Sequence, residues 1–144
     1  MVSASTWQTL GLGVAACYAG AGALAVFAPA YEADLLFNLG SSALAQNPDK
    51  FPNNAESRED KAVGVLLPLL GARNWAIATA MFALHRSENF SALGTVILSG
   101  SAFVGILDGI EVYKRRGPVL AGAAATAASL WALVGYALVE GWNN

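Results

Sequence analysis

Four long apolar stretches, separated by polar ones, run through this chain. They lie near residues 7–28, 62–84, 92–113 and 119–139, and each approaches the roughly 20 apolar residues that a helix needs to cross a bilayer. The only long polar interval is 29–61, between the first and second. This pattern predicts an all-α, polytopic membrane protein: a single domain over residues 1–144 with four transmembrane helices in a compact bundle. The first stretch is too long for an ordinary signal core and has no Lys or Arg before it. Although Ala28-Pro29-Ala30 imitates a cleavage site, the stretch reads as a retained helix.

The polar punctuation refines the boundaries. Tyr31 to Leu39 mixes Glu32 and Asp34 with bulky apolar residues, which suggests a short helix lying in the interface. Asn47-Pro48-Asp49 and Phe51-Pro52-Asn53-Asn54 are turn chemistry. Ser57-Arg58-Glu59-Asp60 resembles a capping box, with Ser57 as N-cap of the second helix. Lys114-Arg115-Arg116 sets basic charge at the end of the third helix, and Gly117-Pro118 breaks it. Small residues recur at four-residue spacing in the first helix (Gly11, Ala15, Ala19, Ala23, with Ala16 and Gly20) and in the fourth (Ala121, Ala125, Ser129 and Ala124, Ala128, Ala132), a spacing that lets helices approach closely or that simply reflects an alanine-rich chain.

Four crossings put both termini on one side of the membrane. The 29–61 loop and the 114–118 turn then share the other side, carrying Lys50, Arg58, Lys61, Lys114, Arg115 and Arg116 against Arg86 alone opposite. The positive-inside rule makes the basic side cytoplasmic, in the endoplasmic reticulum if the cell is eukaryotic. Asn89-Phe90-Ser91 is a glycosylation sequon on the far side, in a turn too short and too close to the membrane to be modified.

Charged residues are 12% of the chain, about half the usual share, so the few inside apolar stretches stand out. Arg73 lies mid-way along the second, where a guanidinium facing lipid costs about 2.5–3.5 kcal/mol or more and needs an anion or water. On the third, Ser101, Asp108 and Glu111 share one helical stripe. At 1.5 Å per residue, Arg73 sits about 17 Å and Asp108 about 8–9 Å from the same end, a difference that a bending arginine stem can bridge. Asn74 and Ser101 are neutral partners beside them, while Trp75 and Trp131, at mid-membrane depth, could wall a lipophilic pocket or pack the core. An Arg73–Asp108 pair serves equally as an interhelical lock or as a reactive centre, and Glu111 also reads as a surface partner of Lys114 or Arg115.

Other chemistries find little here. One cysteine, Cys17, and one histidine, His85, offer no disulfide framework or metal cluster. Gly11-Leu12-Gly13 lacks the rest of a dinucleotide loop, no nucleophile elbow or phosphate loop is present, and no cofactor is expected. A net charge of -2 without a basic, aromatic-rich cluster gives no nucleic-acid footprint.

Gly71-Ala72-Arg73-Asn74 on the second helix, followed about 35 residues later by Asp108-Gly109 on the third, resembles the four-helix membrane family called domain of unknown function 4267, of fungi and bacteria. The resemblance runs from the first helix to the fourth. Members usually show Gly-x-Arg-Asp where this chain has Asn74, which removes one acid, and some carry a histidine early in the fourth helix where this chain has small residues around Gly122 to Ala125. The resemblance implies a small helical bundle and, for fungal members, company with pathways for lipophilic secondary metabolites.

Two functions stand side by side. In one, the protein acts on a lipophilic small molecule as an isomerase or cyclase, with Arg73 steadying negative charge and Asp108 or Glu111 moving a proton, while Asn74, Trp75, Ser101 and Trp131 line the site. In the other it is a non-catalytic scaffold or accessory subunit in the lipid bilayer. A carrier is disfavoured, because four crossings enclose a path only as a homo-oligomer.

Overall fold

The computed structural model describes residues 3–29, 31–32 and 56–141. It contains four long helices: α1 (Ala4–Phe27), α2 (Glu56–Arg86), α3 (Phe90–Arg116) and α4 (Pro118–Val139). Each is long and apolar enough to cross a membrane, so the chain is a multi-pass membrane protein built for a lipid bilayer. The expected turns at Asn47 and Phe51, and the expected interfacial helix apart from Tyr31 and Glu32, lie outside the described residues.

Local chemistry explains the helix ends. Ser3 caps α1, its hydroxyl accepting from the Thr6 amide at 3.3 Å. Asn89 caps α3 in the same way, accepting from the Ala92 amide at 3.2 Å, so the sequon asparagine is spent on a tight turn between α2 and α3. Gly117 ends α3 at φ 83°, where a side chain would be strained, and Pro118 opens α4. Ser57 lies within α2 as described from Glu56, so it is not the N-cap that its polar signals suggest.

The helices pack as two hairpins, α1 with α2 and α3 with α4, with thinner contact between the hairpins. Glycines set both close crossings. A Cβ on Gly22 would stand 2.9 Å from the Gly71 carbonyl oxygen, and one on Gly94 would stand 2.5 Å from that of Gly135. Trp75 adds a bond across the first hairpin, its indole N–H donating to the Ala19 carbonyl at 3.0 Å. The hairpins meet at the end that holds the α2–α3 turn. There Val14, Ala15 and Tyr18 pack with Ala78, Met81, Leu93, Ile97, Val134 and Leu138 in one connected core. Beyond Tyr18 and Trp131 this core stops; Ala25, Leu67 and Val112 are buried but outside it. Toward the end that carries Gly117 no connected core joins the two hairpins among the described residues.

Candidate functional site

Tyr18 stands where the connected core ends. It is only 5% exposed, its ring lies 5.5 Å from that of Trp131 on α4, and its hydroxyl rests on α3 at Gly100, where an added Cβ would come within 2.9 Å. A long side chain on a helix leans toward that helix's N-terminus, which brings the phenol to the level of Gly100.

Two opposite charges lie within electrostatic range of this phenol. Arg73 of α2 and Asp108 of α3 both act electrostatically on Tyr18 and on each other, yet among the described residues no ion pair joins them. Both side chains are exposed on the chain, and a charge facing lipid is costly, so each needs water or a partner in the membrane. Ser101, the residue after Gly100, is 7% exposed, and its hydroxyl has no hydrogen-bond partner.

The remaining residues singled out by sequence divide. Trp131 lies at the site against Tyr18. Asn74 is half-buried beside Arg73 and makes no side-chain hydrogen bond among the described residues. Trp75 is committed elsewhere, bonded to Ala19 and tilted against Phe27 at 5.8 Å, so it braces the first hairpin. Glu111 is held at the surface by Lys114 at 2.9 Å and Arg115 at 3.6 Å. Tyr18 was not among the sequence candidates. Its signal was depth, since Tyr31, Tyr113 and Tyr136 lie toward the ends of apolar stretches, where interfacial tyrosines belong, and Tyr18 alone sits in the middle. Among the described residues no three His, Cys, Asp or Glu side chains gather as a metal would require.

No curated protein and no solved structure matches the chain. The family model described as "Domain of unknown function (DUF4267)" matches residues 13–139, from the middle third of α1 to the last residue of α4. With that match over most of its length, the four-helix chain belongs to the DUF4267 family.

Proposed function

We propose that the protein holds a lipophilic small molecule bearing a carbonyl or hydroxyl group between its hairpins and acts on it as an isomerase or cyclase of a secondary-metabolite pathway. The observation that supports this is the open charge pair. Arg73 and Asp108 come from different hairpins, act electrostatically on Tyr18 and on each other, and form no salt bridge among the described residues. A pair that served only as a lock is strongest when closed and hydrogen-bonded. An open pair leaves space for a ligand between its members.

In this reading Arg73 stabilises negative charge as it develops on the ligand's oxygen, and Asp108 takes a proton from one carbon and returns it to another. Isomerisation shifts a proton and a double bond within one molecule, and cyclisation joins two of its ends, so both balance without a co-reactant. Asn74 and Trp131 contribute wall and orientation. Glu111, already neutralised by Lys114 and Arg115, stands outside the proton path.

Asp108→Asn and Arg73→Lys test the proposal in cells that make the metabolite, with protein levels matched to wild type. Loss of a positioned acid–base group is expected to lower product formation by about 100-fold or more. Unchanged product from both variants overturns the catalytic reading and leaves a membrane scaffold.

A further inference from the structure

We infer that the turn between α3 and α4 seats the phosphate of an anionic phospholipid, with Arg116 as its anchor. Lys114, Arg115 and Arg116 close α3 in one run, and Glu111 is the only acid between Asp108 and Gly117. That acid is already engaged. Its carboxylate holds Lys114 at 2.9 Å and Arg115 at 3.6 Å, so one negative charge stands against three positive ones. Arg116 is left over: it joins neither ion pair among the described residues, and its Nε is buried without a hydrogen-bond partner. The buried Nε is closed to any ligand, and its burial holds the stem of the side chain against the protein. The residue as a whole remains partly exposed, and its two terminal nitrogens are the part left to meet an anion. A half-buried cation without a counter-charge is costly, and a phosphate offers the paired oxygens that a guanidinium fits best.

The position says where that phosphate comes from. With 27 residues at 1.5 Å each, α3 spans about 40 Å, the thickness of a bilayer with its headgroups. Its last residue therefore stands at headgroup level. Tyr113, less than one turn earlier, is exposed, as an interfacial tyrosine should be. Steps of four, three and four residues put Gly105, Gly109, Val112 and Arg116 on one stripe of α3. Along it a Cβ on Gly105 would stand 2.7 Å from that of Ala128, and Val112 is buried, so the stripe faces α4 and Arg116 ends it beside the start of that helix. The first turn of a helix leaves backbone amides without intrahelical partners, and at α4 no side chain caps them. The positive end of the α4 dipole thus adds to the surplus of cations.

Below these charges the surface is apolar. Ile110, Val119 and Leu120 are exposed around the same turn. A soluble anion would gain nothing from them, whereas a phospholipid sets its phosphate at the level of Arg116 and lays its acyl chains along such residues. The seat does not depend on the reading of Arg73 and Asp108 above.

Native mass spectrometry of the full chain, released from nanodiscs of equal parts phosphatidylcholine and phosphatidylglycerol, tests the seat by the lipid that stays bound. Wild type should retain phosphatidylglycerol in preference. Arg116→Gln should lower that preference about five-fold, the worth of one basic side chain at an anionic surface. Arg116→Lys, which keeps the charge but loses the two-pronged grip, should fall between the two. Lys114→Gln, whose charge Glu111 already engages, should lose less than Arg116→Gln, and Arg86→Gln at the opposite end should match wild type. Circular dichroism with thermal melts establishes that the variants fold. Equal retention of the two lipids by wild type overturns the seat. So does an equal loss in Lys114→Gln and Arg116→Gln, which would mark a diffuse attraction of charges. Sodium phosphate, compared with sodium chloride at the same ionic strength, should leave the lipid in place; displacement by phosphate alone would make a soluble anion the ligand and overturn the lipid.

Discussion

Trp75 and Tyr18 are both aromatic residues deep in apolar helices, yet the molecule spends them differently. Trp75 gives its indole N–H to the Ala19 carbonyl, so Trp75→Phe should lower stability by about 0.5–1 kcal/mol, the usual worth of an interhelical hydrogen bond in a membrane, read as an earlier thermal unfolding transition in detergent. An unchanged transition would mean that ring packing on Gly22 carries the contact. Glu32, beyond the end of α1, makes a pH prediction. Burial pushes its carboxyl up from the ordinary range. The folded chain then keeps a proton that the unfolded chain has released, so its contribution is fullest below the ordinary carboxylate range and is lost as pH rises through the raised value. Glu32→Gln should flatten that decline in melts from about pH 4 to 8 and should be at least as stable as wild type at neutral pH. At this scale sequence found charges and hydroxyls in apolar stretches, Arg73, Ser101 and Asp108, because a bilayer makes them expensive. It could not find Trp75's partner, because that partner is a backbone carbonyl, which every residue possesses.

The four helices themselves were legible, since length and hydrophobicity alone decide whether a segment crosses a bilayer. Which face of each helix packs was not. Four-residue steps turn a helix about 40° each time, so the row Gly11, Ala15, Ala19, Ala23 drifts off any fixed face. Beside Val14, the buried residues of α1 alternate steps of four and three, Gly11, Ala15, Tyr18, Gly22, Ala25, the rhythm that keeps a seam toward a neighbour. Gly20 and Ala16, which also looked like a pair, are exposed. The closest approaches fall instead at Gly22 with Gly71 and Gly94 with Gly135. Gly94→Ala should therefore cost about 1–3 kcal/mol, because its new Cβ meets the Gly135 carbonyl and cannot be relieved by a rotamer change. Gly109→Ala meets nothing within 4 Å and should stay within about 0.5 kcal/mol of wild type. Equal melting of the two variants would show that the α3–α4 crossing is looser than its geometry.

On the scale of the whole molecule, direction decides how the site is reached. Gly11, near the start of α1, faces side chains of Leu93 near the start of α3 and Leu138 near the end of α4, so the helices alternate in direction and the α2–α3 turn shares an end with the start of α1 and the end of α4. The connected core fills that end. The opposite end carries Lys114, Arg115, Arg116 and Gly117, and the sequence joins α1 to α2 there through the basic 29–61 segment. Basic loops stay in the cytoplasm, so the proposed site should be reached from the cytoplasmic leaflet. Single cysteines test the orientation in a chain whose exposed Cys17 is first replaced by serine. With a membrane-impermeant maleimide, Ser87→Cys and Glu140→Cys should label from the lumenal or outer side of sealed membranes, and Lys114→Cys only after permeabilisation. Labelling of Ser87→Cys and Lys114→Cys from the same side would mean that α3 does not cross. The reverse pattern would keep the four crossings but turn the basic end of the bundle, and with it the proposed site, to the other leaflet.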